Sequence, residues 1–168
     1  MRTNYPHHLP AFDYRGFHRY FLTFCTEKRV RVFVNNRTVD LVWMQFLRAS
    51  GDDSMAILAC VFMPDHVHLV TEGESEESDC KRFISRAKQF SGYHYAQANG
   101  ARLWQRYGYE HVLRDEEPTR SAIAYVLENP VRAHLVETVW DYGHIRSSKY
   151  EREHLIEYAY AKAAAGSR

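Results

Sequence analysis

The sequence predicts an α+β fold: a ferredoxin-like β-α-β-β-α-β antiparallel sheet with helices on one face and further helices appended at the C-terminal end. Four strand-length stretches are rich in apolar and aromatic residues, and amphipathic segments separate the first pair and the last pair. This order is typical of the ferredoxin-like arrangement. We expect one domain over residues 1–168, with an N-terminal arm over 1–16 and a C-terminal extension over 141–168.

The first half of the chain supplies three strands and one helix. Residues 17–26 are predicted as a strand because aromatic and β-favouring residues dominate there. Residues 39–47 carry the broad apolar stripe of a helix. The apolar stretches 55–62 and 66–71 are predicted as two strands joined by a Met-Pro-Asp turn.

The second half supplies the remaining elements. An acidic loop leads into a predicted helix over 78–98, and a fourth strand with an irregular start is predicted over 103–113. A helix is predicted over 115–129, where an aspartate can cap its start and Pro130 is expected to end it. A last helix is predicted over 151–165.

Composition and charge exclude several classes of protein. No apolar run approaches the length of a membrane span, and the polar start is not a signal peptide. Three scattered cysteines form neither a CxxC pair nor an even framework, which favours the reducing cytoplasm. A net charge of +1 argues against a protein that coats duplex DNA, but residues 81–114 hold seven basic side chains and one acid, so a local basic face is expected.

Two histidines one residue apart form the first candidate site. His66 and His68 lie on a predicted strand, where side chains at i and i+2 point to the same face about 7 Å apart. Both imidazoles can then reach one metal ion. The pair is also compatible with two half-exposed strand histidines that bind nothing, since ten histidines in 168 residues give roughly 0.6 such pairs by chance.

A tyrosine and an amide four residues apart strengthen the metal hypothesis. Tyr125 and Asn129 lie near the end of a predicted helix and share one of its faces. A catalytic metal needs only two or three protein ligands, and the Asn129 oxygen is a candidate for the third, with His111 the next candidate if Asn129 is not a ligand. Because a phenol is a poor nucleophile without a polarised electrophile, the set suggests phosphoryl transfer to Tyr125.

Three motifs in order resemble the HUH-type single-tyrosine transposases, and within them the REP-associated tyrosine transposases. They are Met63-Pro64-Asp65-His66-Val67-His68-Leu69-Val70, then Leu103-Trp104-Gln105-Arg106 with the following His111 to Glu117, and Tyr125-Val126-Leu127-Glu128-Asn129-Pro130-Val131-Arg132-Ala133. The resemblance runs from about Phe17 to Val136. An asparagine followed by proline at the last motif is the form found in the REP-associated branch.

The resemblance implies an activity and the residues that perform it. His66, His68 and Asn129 would hold Mg²⁺ or Mn²⁺, and Tyr125 would nick and rejoin single-stranded DNA through a covalent 5′-phosphotyrosine. The implied partner is DNA that folds as REP-like palindromic hairpins. A monomer is expected rather than a dimer.

Further residues are expected to contact DNA. Arg82, Arg86 and Lys88 are candidates because a basic helix face can follow a phosphate backbone, and Arg114 and Arg132 flank the tyrosine helix. The resemblance adds Trp104 and Arg106 from the tryptophan motif, although a tryptophan on a strand is more often a core residue than a DNA contact. Tyr14-Arg15-Gly16 resembles the start of the REP-associated branch and implies guide recognition.

Other functions can be compared on the same residues. A zinc base deaminase needs His-x-Glu and Pro-Cys-x-x-Cys, and a two-histidine phosphoesterase needs paired His-x-Ser/Thr motifs; none of these occurs. A non-catalytic or domesticated ferredoxin-like protein that binds single-stranded nucleic acid remains an alternative.

Overall fold

The computed structural model describes residues 11–113 and 118–161. The strands are β1 (Arg19–Cys25), β2 (Met55–Met63), β3 (His66–Gly73), β4 (Tyr109–Leu113) and β5 (Ile145–Arg146). The helices are α1 (Asn36–Asp52), α2 (Cys80–Asn99), α3 (Thr119–Leu127), α4 (Asn129–Arg132) and α5 (Arg152–Tyr160). The strands form one antiparallel sheet in the order β4-β1-β3-β2-β5, which confirms the predicted fold class. In the two described ranges, no helix has both the length and the apolar character to cross a membrane.

Helices α1 and α2 cover one face of the sheet over an aromatic core. Alternate residues of β1 and β3 point into it, as the period of two requires. Phe46 of α1 packs against Phe62 and Trp104 with ring centroids 6.0 and 6.1 Å apart. Buried members of this core include Tyr20, Leu22, Phe24, Phe46, Phe62, Val67, Leu69, Phe83 and Trp104.

The appended helices α3 and α5 cover part of the other face. Ile123, Val126 and Leu127 of α3 pack with Leu155 and Ile156 of α5 in a second core. Every residue of β2 is buried, because this strand lies between the two cores. The sheet therefore has helices on both faces, and α3 together with α5 of the C-terminal extension covers part of the face that the ferredoxin-like order leaves open.

Several predicted boundaries were wrong for local reasons. The first helix begins at Asn36 because the side chain of Asn35 accepts a hydrogen bond from the Thr38 amide at 3.0 Å. Strand β4 begins at Tyr109, and residues 103–108 instead form a loop. The amino group of Lys88 holds that loop by donating to the carbonyls of Gln105 and Arg106 at 2.7 and 3.1 Å.

The tyrosine helix also differs from its prediction. Helix α3 ends at Leu127, and Pro130 lies in the first turn of the short helix α4, where a missing amide hydrogen costs nothing. Pro130 therefore begins a helix rather than ending one. Residues 114–117, which include the predicted helix cap, lie outside the described residues, as do 162–165 of the predicted last helix.

Candidate active site

Strand β3 places His66 and His68 on the face covered by α3. Val67 and Leu69 point into the aromatic core, so the two histidines face the other way. Their Nε2 atoms lie 3.1 Å apart and their rings are nearly perpendicular, at 82°. The structure thus brings together the two imidazole nitrogens that the sequence paired.

Each histidine is oriented by a hydrogen bond at its other ring nitrogen. The Nδ1 of His66 lies 2.6 Å from Asp65 Oδ1, and the Nε of Arg29 donates to Asp65 Oδ2 at 2.9 Å. Partial burial opposes ionisation of Asp65, but the hydrogen bonds from His66 and Arg29 outweigh it and lower the pKa of this carboxyl. The Nδ1 of His68 lies 2.8 Å from Thr23 Oγ1.

His68 is held in its neutral form. Burial, followed by the charges of His66, Arg132 and Arg29, lowers the pKa of His68 to about 3. Asp65, as a carboxylate, can only accept from His66 Nδ1, so Nε2 of a neutral His66 carries a lone pair. Thr23 can donate to or accept from His68 and therefore tolerates either tautomer.

The histidine pair fits one divalent cation. Two nitrogen ligands at about 2.1 Å from an ion and about 90° apart are about 3 Å from each other, close to the observed separation. Metal-bound histidines usually donate their outer ring N–H to a carboxylate or another oxygen, as His66 can to Asp65 and His68 can to Thr23. In the described ranges, no third His, Cys, Asp or Glu joins the pair. His111, the other candidate for the third ligand, lies on β4, across β1 from His68.

Tyr125 lies on the same side of the sheet, on α3. Its side chain is 57% exposed. The ring of Phe21 lies between it and the metal site, with centroids 6.1 Å from Tyr125 and 5.5 Å from His68. The guanidinium carbon of Arg132 lies 4.3 Å from the centre of the Tyr125 ring, and its Nη2 donates to the Tyr125 carbonyl at 2.8 Å. A cation at this position can stabilise negative charge on the phenol.

Asn129 joins α3 to α4. Its Nδ2 donates to the carbonyls of Tyr125 and Val126 at 3.2 and 3.0 Å, which satisfies the end of α3. The amide nitrogen is thus committed to the helix end, and Oδ1 is the atom that could bind a cation. Arg132 lies on the same short helix, and its charge is one of those that lower the pKa of His68.

Helix α5 supports this arrangement from behind. Tyr160 hydrogen-bonds the carboxylate of Glu128, and burial followed by that carboxylate raises the pKa of Tyr160 to about 12. Glu128 in turn pairs with Arg132 at 3.5 Å. A chain of contacts therefore runs from the C-terminal helix through Glu128 and Arg132 to Tyr125.

Comparison with known proteins agrees with this geometry. The family described as IS200-like transposases matches residues 17–129, a range that includes both histidines, Tyr125 and Asn129. The chain belongs to this family. It is 28% identical over 120 residues to the REP-associated tyrosine transposase of Escherichia coli, which covers 66% of the chain and 70% of that relative. It is 29% identical over 96 residues to a candidate REP-associated tyrosine transposase of Haemophilus influenzae, which covers 51% of the chain.

The chain spans about half, 54%, of the length of the Haemophilus influenzae relative.

Solved structures share the fold. A REP-associated tyrosine transposase bound to a REP hairpin superposes with a TM-score of 0.68 at 20% identity, over 82% of this chain and 81% of the other. A candidate transposase from Deinococcus radiodurans gives 0.50 at 23% identity, over 73% and 97%. The resemblance seen in the three motifs is confirmed.

The structure places the predicted DNA contacts of α2 on the opposite side of the sheet from the histidines. Arg82 and Arg86 both donate to the buried carboxylate of Asp53, Arg86 at 2.9 Å, so they also hold α2 against the end of α1. Lys88 is committed to the loop carbonyls described above. Arg106 is exposed and lines the grooves beside this loop.

Two aromatic residues predicted to contact DNA are core residues instead. Tyr14 is 4% exposed, stacks on Tyr20 with centroids 5.8 Å apart, and has the amino group of Lys81 4.5 Å from its ring centre. Trp104 is also 4% exposed, and its Nε1 donates to Ser91 Oγ at 2.8 Å. Neither ring has a face available for a nucleobase.

The remaining two predicted contacts have different positions. Arg15 is exposed and pairs with Asp79 at 3.7 Å, at the start of α2. Arg114 lies outside the described residues.

Sequence reasoning missed two residues of the site. Thr23 reaches His68 because β1 and β3 pair in a register that sets these residues opposite each other. Arg29 reaches Asp65 because Lys28 and Arg29 both adopt left-handed backbone angles, with φ of 52° and 57°. Neither contact could be predicted from the local sequence. The contact of Thr23 depends on strand register, and that of Arg29 on a left-handed turn that contains no glycine.

Proposed function

We propose that the chain is a metal-dependent endonuclease and strand transferase for single-stranded DNA that acts through a covalent 5′-phosphotyrosine at Tyr125. The observation that carries the proposal is the arrangement on one face of the sheet. Two oriented imidazole nitrogens lie 3.1 Å apart, and an exposed tyrosine with a cation over its ring lies just beyond Phe21.

The metal would be held by His66 and His68, with Asn129 Oδ1 as the third protein ligand. When bound, a divalent cation neutralises charge on the scissile phosphate and makes the phosphorus more electrophilic. The protein contributes two imidazoles whose orientation is fixed in advance by Asp65 and Thr23. This preorganisation removes the cost of ordering the ligands when the ion binds.

The reaction at the tyrosine is a transesterification. Tyr125 Oη attacks the phosphorus, a bond forms between them, and the bond from phosphorus to the 3′ oxygen breaks. The phenolic proton passes to solvent, and the leaving oxygen takes a proton to become a 3′ hydroxyl. Arg132 stabilises the developing phenolate through its position over the ring. Attack by a 3′ hydroxyl on the phosphotyrosine reverses these steps and rejoins the strand.

The proposed substrate is hairpin-forming DNA with a single-stranded flank. A structural relative is bound to a REP hairpin. The groove between α2 and the start of β4 is lined by the exposed cations Lys81 and Arg106 and by the buried Glu110, so two cations face a path along the sheet edge. Such a path suits a phosphate backbone without requiring a strongly basic protein.

We also propose that the chain acts as a monomer in the reducing cytoplasm, which its three free cysteines favour. Helix α3 packs on α5 and on the sheet of its own chain, so Tyr125 and the histidines come from one molecule. A sedimentation measurement that gives a dimer for the DNA-bound protein would contradict this part of the proposal.

The test is incubation with a library of single-stranded hairpin oligonucleotides and Mn²⁺, followed by a denaturing gel. We expect a covalent protein–DNA adduct that disappears when EDTA is added first. Binding without any adduct would contradict the proposal and favour a ferredoxin-like protein that binds single-stranded nucleic acid without cutting it.

A further inference from the structure

A groove beside Tyr125 has no role in the mechanism above. It lies between β4 and α3, with a volume of about 570 Å³. Its walls include the rings of Phe21, Tyr109, His111 and Tyr125, and none of its described lining residues is acidic. A site of this size and aromatic character can hold a flat ring.

The rings in the groove are arranged as a stacking surface. Phe21 forms the floor, with its centroid 6.1 Å from both Tyr109 and Tyr125 and interplanar angles of 70° and 68°. Tyr109 is 50% exposed, so much of its ring is not used by the protein core. Aromatic rings of this kind bind bases of single-stranded DNA because every base has a π face.

The position of the groove beside Tyr125 favours a base of the bound DNA strand as its occupant. It shares Tyr125 with the active site, so a strand whose phosphate reaches that hydroxyl must place a neighbouring base close to the groove. Tyr109 also lines the groove on the other face, together with Lys81, Arg106 and Glu110. A single strand can therefore pass from the cations of one face, around the start of β4, to Tyr125 on the other.

We propose that this groove binds one nucleobase next to the scissile phosphate, and that Tyr109 is the residue on which the base stacks. The proposal rests on the proposed function and adds a base-binding site within the protein. It makes the protein, and not only base pairing within the DNA, a determinant of where the strand is cut.

The first test measures binding without cleavage. In the Tyr125→Phe background, which keeps the ring but lacks the nucleophile, a thymidine oligonucleotide of about 12 nucleotides with one central 2-aminopurine reports stacking by loss of fluorescence. We expect quenching on binding, and Tyr109→Ala should weaken binding about 5- to 150-fold and abolish the quenching. Tyr109→Phe should retain both, because only the ring is needed.

Tyr158→Ala is the matched control. Tyr158 is also an exposed tyrosine, but it stacks on Tyr150 at the C-terminal helix, outside the groove. Its removal should leave quenching unchanged. Quenching that survives Tyr109→Ala would overturn the proposal, and so would equal losses from Tyr109→Ala and Tyr158→Ala.

The second test uses cleavage and separates the two proposals. An abasic nucleotide is placed in turn on either side of the scissile phosphate, and the rate of adduct formation is measured for the wild type and for Tyr109→Ala. We expect an abasic nucleotide at one of the two positions to slow adduct formation by the wild type. The same nucleotide should have little further effect on Tyr109→Ala, because the missing base and the missing ring belong to the same stacked pair. Additive losses would refute the base site while leaving the proposed function intact. Absence of any adduct with unmodified DNA would refute the proposed function, and the fluorescence test would still decide the base site.

Discussion

The two faces of the sheet are made from the same strands but differ in composition and covering. On β3, Val67 and Leu69 are fully buried under α1 and α2, whereas the intervening His66 and His68 are only partly buried. Helices α1 and α2 have 17 and 20 residues and bury the residues of β1 and β3 that face them. Helices α3 and α4 have nine and four residues, and the side chains on their face that stay partly exposed include Phe21, Thr23, His66 and His68.

This difference shows how the fold separates stability from chemistry. The period of two along each strand lets one residue in two build the core while the next carries a functional group. A well-packed aromatic face holds the backbone in place, so the other face can present two imidazoles and an exposed tyrosine. Substitutions on the two faces should therefore have separable effects.

The largest expected effect is on the chemistry of the open face. Tyr125→Phe removes one exposed oxygen, so the adduct should vanish while the free energy of unfolding changes by less than about 0.5 kcal/mol. A denaturing gel and a thermal melt measure the two quantities. Tyr158→Phe is the control and should retain the adduct. An adduct that survives Tyr125→Phe would show that another tyrosine is the nucleophile, with Tyr107 and Tyr109 the next to test.

The metal ligands should rank next. His66→Ala and His68→Ala should each abolish cleavage at any Mg²⁺ concentration, because one remaining imidazole cannot orient the ion. Asn129→Ala should be milder and partly recovered by raising Mn²⁺, since water can replace a neutral oxygen ligand. Cleavage rate against Mn²⁺ and Mg²⁺ concentration measures this ranking. If Asn129→Ala titrates like the wild type, its only role is to hold the helix end through Nδ2.

The sequence was sufficient for the fold class and for the pairing of the two histidines. Both depend on local periodicity: His66 and His68 share a face because they are two residues apart on a strand. Their supporting residues could not be predicted in this way. Thr23 lies 45 residues from His68 in the chain, and only the register of β1 against β3 brings them together.

Residue type was a poor guide to burial. Trp104 and Tyr14 were predicted to contact DNA, yet both lie in the aromatic core, because a large ring gains more from burial than its polar atom loses once that atom is satisfied. The Trp104 indole has such a partner in Ser91. Whether an aromatic residue is buried depends on whether a helix packs over it. That helix can lie far away in the sequence, so a short sequence window does not show it.

On the closed face, we expect a loss of stability without a change in chemistry. Phe46→Ala removes a buried ring from the centre of the aromatic core and should lower the free energy of unfolding by about 3–5 kcal/mol. Denaturant unfolding measures this loss. At low temperature, the rate of adduct formation per folded molecule should equal that of the wild type. A selective loss of adduct formation in folded protein would show that the two faces are coupled.

A smaller effect is expected from the support of the metal site. Asp65→Asn keeps the shape of the side chain but removes the carboxylate that orients His66, and should weaken Mn²⁺ affinity about 10- to 100-fold. The measurement is a Mn²⁺ titration of the cleavage rate. Asp40→Asn is the matched control, because Asp40 is an exposed carboxylate that pairs with Arg146 at 2.9 Å, away from the site. Equal titrations for wild type and Asp65→Asn would show that Asp65 only shapes the turn.

The smallest effect concerns Lys88, which crosses from α2 to the loop before β4. Burial, followed by the nearby charge of Arg102, lowers the pKa of Lys88 to about 8. The folded protein therefore releases this proton at a lower pH than the unfolded chain, in which a lysine has a pKa near 10.4. Between about pH 8 and 10 the unfolded state binds more protons, so the contribution of Lys88 to stability rises with pH.

Other groups act in the opposite direction over the same range, so the wild type alone cannot reveal Lys88. Burial raises the pKa of the Cys60 and Cys80 thiols, and their unfolded-state ionisation lowers stability as pH rises. The informative quantity is the difference in unfolding free energy between the wild type and Lys88→Met. It should grow in favour of the wild type by about 1–2 kcal/mol from pH 8 to 10, and stay constant below pH 7. A difference that is flat across pH 8 to 10 would show that the amino group is solvated and does not support the loop carbonyls.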